Sequence, residues 1–381
     1  MPTITADWIS DKNTQIIFDL LIKGGFECYF VGGCVRNVLM DVAVNDIDIS
    51  TNASPKQVIQ LADDAGLKSI PTGIEHGTIT VMSGNEAYEI TTYRRDVETD
   101  GRRAVVAFSN DILDDAKRRD FTMNALYADQ NGVVVDPLNG LSDLLNRNVR
   151  FIENADKRIK EDYLRILRFF RFNALYGKAE INQADLDACG VNANGLDLIS
   201  KERIGSEIKK LLNADNPVAS LKAMKDSGVL EKILPGSTDI YLEDLVKYEV
   251  KSGIKPDALK RLAIMDVKNA KQLLCLSNIE SKRLDILIEE MKSKNTPGAL
   301  GYYFGEDIAK DIVSLRYIYS GQAEGINIFQ QIKTGAEADF PIKSVDLMPE
   351  FQGKALGDKL KELKNKWINS DFNMTKQQLL N

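Results

Sequence analysis

The sequence predicts an α+β protein, in which a small mixed α/β unit comes first and an all-helical remainder follows. Strand-like apolar runs alternate with helical patterns up to about residue 140, whereas strand signals nearly vanish after residue 178. With 381 residues, the chain is long enough for several structural units. We therefore divide it into a head (1–140), a helical neck (141–215), a helical body (216–300) and a helical tail (301–381).

Composition narrows the class of protein. No stretch approaches the ~20 consecutive apolar residues that span a membrane, and the N-terminus lacks the pattern of a signal peptide, so we expect a cytoplasmic protein with no membrane association. The four cysteines show no C-x-x-C spacing, and one histidine is too few for a histidine-rich metal site. Because the net charge is −7, any nucleic-acid partner must be met by local basic patches. Nothing in the sequence implies a protein partner.

The head begins with a predicted strand, a glycine turn and a helix. The apolar run CYFV at residues 28–31 is typical of a short buried strand, and Gly32 and Gly33 then let the backbone turn sharply and approach a ligand closely. A helix is predicted to start there and to carry Arg36. A helix N-terminus and a guanidinium therefore point to one place, which favours an anion such as a phosphate.

The next predicted strand, residues 46–49, carries two aspartates. Asp46 and Asp48 are two positions apart, so they are expected on one face of the strand while Ile47 and Ile49 face the core. Two neighbouring carboxylates repel each other unless a cation lies between them. Oxygen ligands beside a phosphate site suit Mg²⁺ that is held partly by protein and partly by substrate. A glycine turn or an Asp-x-Asp alone is more often structural, but together they predict a metal and nucleotide site.

A hairpin is predicted from residue 76 to residue 93, with a turn at SGNE. Glu89, at the centre of its second strand, is either an exposed-face residue or a third carboxylate of the metal site. The following segment, residues 93–108, is predicted to be a charged loop that ends in a short strand.

A helix predicted over residues 114–126 carries Arg118, Arg119 and Asp120. An ion-paired protein surface would explain these three charges equally well. Alternatively, an aspartate that accepts a hydrogen bond from a 2′-hydroxyl would give a preference for ribonucleotides.

The neck contains a strongly periodic segment, RIKEDYLRILRFFRFNALY, which predicts one helix over residues 158–176. Asp162, Arg165, Arg168 and Arg171 recur every three residues beside an apolar face. These arginines could simply pair with nearby acids, such as Glu161 with Arg165. Alternatively, an aspartate next to an arginine offers a hydrogen-bond acceptor beside donors, which matches the amino group and the adjacent ring nitrogen on the Watson–Crick edge of C and A. U and G present the donor and the acceptor in reversed order.

These motifs together resemble those of the nucleotidyltransferase superfamily, and more closely those of class II CCA tRNA nucleotidyltransferases and bacterial poly(A) polymerases. The matching segments are GG-x-V-R-N with D-I-D in the head, RRD followed by FTMNAL, and EDYLR in the neck. The resemblance is dense through about residue 212 and thin afterwards.

The resemblance implies a role for each candidate residue. It implies catalysis by a two-metal mechanism, in which Asp46 and Asp48 would hold a pair of Mg²⁺ ions, with Glu89 as the third carboxylate. It also implies that the nucleotide is bound by Gly32, Gly33, Arg36, Arg119, Asp120, Asp162, Arg165, Arg168 and Arg171. Within that set, Asp162 and Arg165 would select the base.

The implied activity is addition or repair of the 3′-terminal CCA of tRNA from CTP and ATP, with release of pyrophosphate. A poly(A) polymerase is the alternative, although residues 70–81 lack the basic element of bacterial poly(A) polymerases. A partial enzyme that adds only C or only A is a further alternative, and the full-length segment 93–108 favours addition of both. From a different class, the chain could be a non-catalytic RNA-binding protein of the same fold.

Overall fold

The computed structural model describes residues 2–99, 104–178, 180–321 and 327–381, and for residues 96–99 and 104–106 only the backbone. The chain forms two compact units, Met1–Pro235 and Gly236–Asn381. The first combines a sheet with helices, and the described part of the second is helical, which confirms the predicted α+β class. The finer division into head, neck, body and tail stays a prediction.

The strands all lie in the first unit as far as the described residues show. In chain order they are β1 (Cys28–Val31), β2 (Asp48–Thr51), β3 (Lys68–Gly73), β4 (Thr78–Ser83), β5 (Glu86–Thr92), β6 (Arg94–Thr99), β7 (Ala104–Phe108), β8 (Tyr127–Ala128) and β9 (Val134–Val135). Seven of them form one sheet in the order β3-β4-β5-β2-β1-β8-β9, and β6 pairs with β7 separately. Within the larger sheet β2 and β5 run parallel, which brings their corresponding ends together.

Helices surround this sheet and continue beyond it in the first unit. In chain order they are α1 (Asp7–Ser10), α2 (Lys12–Lys23), α3 (Gly33–Leu39), α4 (Pro55–Asp64), α5 (Ile112–Lys117), α6 (Gly140–Leu145), α7 (Ala155–Glu161), α8 (Leu164–Tyr176), α9 (Gln183–Val191), α10 (Lys201–Leu212), α11 (Val218–Asp226) and α12 (Val229–Ile233). Several of these helices begin at a residue whose side chain accepts hydrogen bonds from backbone N–H groups of the first turn, which have no partner within the helix. Asp11 caps α2, and Ser54 with Gln57 forms a capping box before α4.

Burial along β5 shows how the sheet separates its core from its open face. Tyr88, Ile90 and Thr92 are buried, whereas Glu89 between them is exposed. This alternation is that of a strand with one packed face and one open face. Glu89 therefore lies on the open side, where a substrate can reach it.

Two strand predictions in the head are wrong in detail. The second strand begins at Asp48, so Asp46 precedes it in irregular backbone and not on the strand face. In the segment 93–108 the predicted final strand is confirmed as β7, but the part predicted to be a loop contains the strand β6, which pairs with it as a hairpin. The β-branched run at residues 105–106 explains the second strand of that hairpin. The full length of the segment 93–108 was the reason to expect addition of both C and A. Its residues 100–103 lie outside the described residues.

Two helix predictions are also wrong in their extent. The helix expected over 114–126 is α5, which ends at Lys117, so Arg118, Arg119 and Asp120 follow it. The helix expected over 158–176 is broken into α7 and α8 at Asp162. Asp162 has extended backbone angles, and its side chain accepts a hydrogen bond from the Leu164 N–H at 3.1 Å. The side chain of Asp162 thus provides a hydrogen-bond acceptor for the first turn of α8, and its extended backbone interrupts the helix.

The second unit contains, in its described residues, α13 (Leu242–Ser252), α14 (Ala258–Ile264), α15 (Ala270–Leu274), α16 (Asn278–Met291), α17 (Pro297–Phe304), α18 (Glu306–Ser320), α19 (Ile328–Glu337), α20 (Gly353–Asn369) and α21 (Lys376–Leu380). Helices α17 and α19 cross so closely that a Cβ on Gly335 would meet the Gly298 carbonyl oxygen at 1.9 Å. A cluster around Trp367 and Leu363 forms the core near the C-terminus. None of the described helices is both long and apolar enough to cross a membrane.

Candidate active site

Three carboxylates line one cavity on the open face of the sheet. Asp48 on β2 lies in register with Glu89 on the neighbouring parallel strand β5, so the two side chains share a face. Asp46 lies two residues before Asp48 and is exposed. All three border a cavity of about 670 Å³, together with Thr80 and Asn45. The structure therefore brings together the three residues that were predicted from the sequence to be catalytic.

The electrostatics of Asp48 fit a cation site. Burial raises the pKa of its carboxyl group, Arg119 opposes that shift, and the carboxylates of Glu89 and Asp46 add to it. A positive ion between these groups would relieve their mutual repulsion. Among the described residues, no group of three or more His, Cys, Asp or Glu side chains is arranged to enclose a metal ion by itself.

The glycine turn brings Arg119 close to this region. Gly32 has φ of 70° and ψ of −117°, a conformation that residues with a Cβ rarely adopt. Its N–H donates to the Leu126 carbonyl at 3.0 Å, and a Cβ built on it would lie 3.3 Å from an Arg119 guanidinium nitrogen. The backbone conformation therefore requires glycine at position 32, and a methyl group there would also crowd the Arg119 guanidinium.

We expect Gly32→Ala to reduce both stability and nucleotide binding. The strained backbone costs on the order of 1–3 kcal/mol, and the added methyl group displaces Arg119. Gly25→Ala is the matched control, because Gly25 has φ of 85° with nothing within 4 Å of its Cβ position. Urea unfolding should show a loss in both variants, whereas the KM for CTP should rise only in Gly32→Ala. An equal rise in both would contradict the steric argument.

Arg118 and Arg119 are held by a carboxylate that the sequence analysis missed. Asp115 is fully buried and pairs with Arg118 at 2.6 Å and with Arg119 at 3.0 Å. Tyr127 donates its hydroxyl hydrogen to the same carboxylate at 2.7 Å. Burial alone would raise the pKa of Asp115, but Arg119 and Arg118 outweigh burial and hold that pKa well below its usual range. The D-x-x-R-R spacing, which matches pairs three and four residues apart on a helix, was the available signal.

Asp120 links the RRD segment to helix α8. One carboxylate oxygen accepts from the Phe121 N–H and the Asn124 side-chain amide, and the other accepts from Arg168 Nε at 2.6 Å. Burial would raise the pKa of Asp120, but Arg168 and the Asn124 hydrogen bond lower it to about 2. The structure thus shows an ion pair with Arg168, and the predicted contact of Asp120 with a ribose stays a prediction.

Arg36 is buried between α3 and α8. Its guanidinium donates to the side-chain oxygens of Asn124 and Asn37 and to the Tyr176 hydroxyl at 2.9 Å, and it lies 4.3 Å from the centre of the Tyr176 ring. Burial lowers the pKa of Arg36. The bond to Tyr176 joins α3 to α8, whereas Asn37 lies on α3 itself and Asn124 lies in the segment after Asp120. The phosphate contact predicted for Arg36, like that for Gly33 beside it, stays a prediction.

The two predicted base-selecting residues are Asp162, at the helix break, and Arg165, in the first turn of α8. Asp162 pairs with Arg203 of α10 at 2.7 Å. Arg165 pairs with Glu161 at 2.6 Å, as the four-residue spacing predicted, and also donates to the carbonyl oxygens of Arg158 and Arg118 at 2.8 Å each. Asp162 and Arg165 are thus neighbours in the chain whose charges are compensated by different partners.

Arg171 completes the charged series on α8. Its guanidinium lies 2.7 Å from Glu207 of α10 and 4.8 Å from the centre of the Phe172 ring. The sequence analysis did not identify Arg203 or Glu207, although both lie on one helix at a spacing of four residues. That spacing indicates only that the two side chains share one side of α10. Their partners, Asp162 and Arg171, are distant in sequence and could not be inferred from it.

Two family profiles match the chain. The one described as the poly A polymerase head domain matches residues 28–150, and the one described as a probable RNA and SrmB-binding site of polymerase A matches residues 180–240. The first covers the cavity carboxylates and the RRD segment. The second covers α10.

Curated proteins and solved structures are similar over nearly the whole chain. CCA tRNA nucleotidyltransferase 1, mitochondrial, from Mus musculus is 34% identical over 97% of this chain and 89% of its own length. A CCA-adding enzyme from Lactococcus lactis is 33% identical over 93% and 92%, respectively. A crystal structure of the Bacillus stearothermophilus CCA-adding enzyme with CTP has a TM-score of 0.75 and 25% identity, and covers 95% of this chain and 94% of that one. A Thermotoga maritima CCA-adding enzyme complexed with tRNA shares the fold, with a TM-score of 0.68 at 18% identity over 100% of this chain and 98% of that one.

Proposed function

This chain belongs to the family of CCA tRNA nucleotidyltransferases, and we propose that its cavity carboxylates and the charged series on α8 carry out the reaction of that family. The chain is an enzyme that adds or repairs the 3′-terminal CCA of tRNA from CTP and ATP and releases pyrophosphate. The relatives that match it over nearly its full length are CCA enzymes, which favours this activity over poly(A) synthesis.

The observation that carries the site assignment is the in-register pairing of Asp48 with Glu89, with Asp46 on the same cavity. Enzymes of this family generally use a two-metal mechanism with divalent ions, and we propose that the ions here are a pair of Mg²⁺ held by Asp46 and Asp48, with Glu89 as the third carboxylate. When bound, these ions would make the RNA 3′-hydroxyl more acidic and offset charge on the phosphates.

The arginines around the glycine turn and along α8 would bind the triphosphate. In the reaction, the 3′-hydroxyl oxygen bonds to the α-phosphorus while the bond from that phosphorus to the pyrophosphate oxygen breaks. Arg119, Arg168 and Arg171 are held by carboxylates at fixed positions, so they can present N–H donors to negatively charged oxygens with little reorganisation.

Asp162 and Arg165 would read the base. An ionised carboxylate only accepts hydrogen bonds, so it can pair with the amino group of C or A but leaves a carbonyl oxygen of U or G unmatched. Such a mismatch costs on the order of 1–3 kcal/mol, which corresponds to roughly 10-fold to 100-fold in kcat/KM.

We therefore expect Asp162→Ala to lower the ratio of CTP to UTP incorporation by about tenfold or more. Asp187→Ala, which removes an exposed acid from another helix, should leave the ratio unchanged. Single-nucleotide incorporation with each triphosphate measures both ratios. An unchanged preference in Asp162→Ala would refute the role of this carboxylate.

One experiment tests the function as a whole. The protein is incubated with tRNA that lacks its 3′ CCA and with an unstructured RNA, and CTP and ATP are supplied separately and together. We expect three added nucleotides on tRNA alone when both triphosphates are present. Long A tails on either RNA would overturn the assignment, and addition limited to C or to A would identify a partial enzyme. The cytoplasmic location stays a prediction, because the relatives include proteins named as mitochondrial.

A further inference from the structure

Helix α10 supplies partners to the charged series on α8. Ser200 caps its start, and Ile204, Ile208 and Leu211 are buried as it packs against α8. Arg203 and Glu207 are four residues apart, so they lie on the same side of the helix. Their ion pairs with Asp162 and Arg171 show that this side faces α8.

The pair between Arg203 and Asp162 differs from the others in the series. Arg165, Arg168 and Arg171 are guanidiniums that pair with carboxylates of α7, the RRD segment and α10. Asp162 is the one carboxylate of the series, and its partner is a guanidinium, that of Arg203. It also lies where the helix is broken, so no helical backbone fixes its side chain. Two contacts fix it instead, since one oxygen accepts from the Leu164 N–H and the other from Arg203.

We propose that Arg203 is a positioning residue that determines base specificity by holding the carboxylate of Asp162 in a fixed orientation. The proposal rests on the proposed function of Asp162 as the reader of the base. The hydrogen bond from the guanidinium fixes one carboxylate oxygen of Asp162, and a carboxylate cannot donate a hydrogen bond to the carbonyl oxygen of U or G.

The geometry leaves room for a base beside this pair. Each carboxylate oxygen can accept two hydrogen bonds, so the contacts with Leu164 and Arg203 do not saturate Asp162. The side chain of Asp162 is 27% exposed and that of Arg203 is 37% exposed, so the pair is open to a ligand on one side. The ligand class is a nucleobase that presents an exocyclic amino group there.

The test compares Arg203→Met, Arg203→Lys and the control Lys201→Met, in which an exposed lysine of the same helix is replaced. For each, kcat and KM are measured with CTP and with UTP on tRNA that lacks its 3′ CCA. We expect the CTP/UTP ratio of kcat/KM to fall about tenfold in Arg203→Met, with partial recovery in Arg203→Lys, because lysine retains the charge but not the planar fork. Lys201→Met should match the wild type.

The outcomes separate this inference from the function on which it rests. A wild-type chain that adds neither C nor A overturns the proposed function and this inference with it. An active wild type whose CTP/UTP ratio survives in Arg203→Met overturns the inference alone. Equal losses with both triphosphates would also overturn it, since they would mean that Arg203 only supports the fold. Thermal unfolding identifies a variant that does not fold, and in that case the ratio in Arg203→Lys decides.

Discussion

Replacing Asp46 by asparagine is expected to lower kcat for nucleotide addition by about 10³-fold or more while the protein stays folded. Asparagine has nearly the same shape as aspartate but no negative charge, so the cavity loses affinity for a divalent cation. Asp46 is exposed and precedes β2, so the free energy of unfolding should change by less than about 0.5 kcal/mol.

Single-turnover addition of one C to tRNA and urea unfolding measure the two effects separately. Asp63→Asn is the matched control, because Asp63 is an exposed aspartate on α4, away from the cavity. It should leave both quantities unchanged. Activity of Asp46→Asn within tenfold of the wild type would remove Asp46 from the metal site, and a large loss of stability would show that Asp46 has a structural role.

The catalytic part of the site could be predicted from sequence because its signals are local. Strand β1 occurs at the predicted residues 28–31, and the glycine turn follows it directly. Apolar periodicity and glycine placement act over a few residues, so the sequence carries them explicitly. The pairing of Asp48 with Glu89 was less accessible, because it depends on β2 and β5 being neighbours in the sheet.

The helix break at Asp162 shows where local reasoning fails. Apolar periodicity runs through the whole segment 158–176 and favours one helix. The side chain of Asp162 instead bonds to the Leu164 N–H and to Arg203, which lies 41 residues later. A local cap together with a distant ion pair outweighs a propensity that is worth less than about 1 kcal/mol per residue.

The carboxylates that hold the arginines could be predicted only in part. Asp115 has the three-residue and four-residue spacing to Arg118 and Arg119, whereas nothing in the sequence links Glu207 to Arg171. In the sequence Glu207 and Asp115 look like ordinary helical acids, and only the fold reveals that each is buried against an arginine for which nucleotide binding is predicted. A buried charge requires a partner, so these acids follow from the arginines once the packing is known. The arginines themselves were recognisable because they lie within contiguous motifs.

Asp115→Asn is expected to destabilise the first unit by about 3–5 kcal/mol, because it removes one member of a buried charge cluster and leaves the other charges uncompensated. Arg118 and Arg119 have side chains that are only 14% and 17% exposed, so water cannot replace the lost carboxylate. The displaced Arg119 should also raise the KM for CTP. Tyr127→Phe, which removes one hydrogen bond to the same carboxylate, should cost only about 1 kcal/mol.

The ion pairs of Asp115 also predict how the free energy of unfolding changes with pH. In the folded protein the pKa of Asp115 lies well below its usual range, and in the unfolded chain it is about 3.9. Its stabilisation is therefore fully present above about pH 5 and is lost as the pH falls through 4 towards the folded pKa. Urea unfolding between pH 7 and pH 3 should show a steep acid loss in the wild type and a shallower one in Asp115→Asn. Parallel curves for the two proteins would mean that this carboxylate does not hold the arginines in solution.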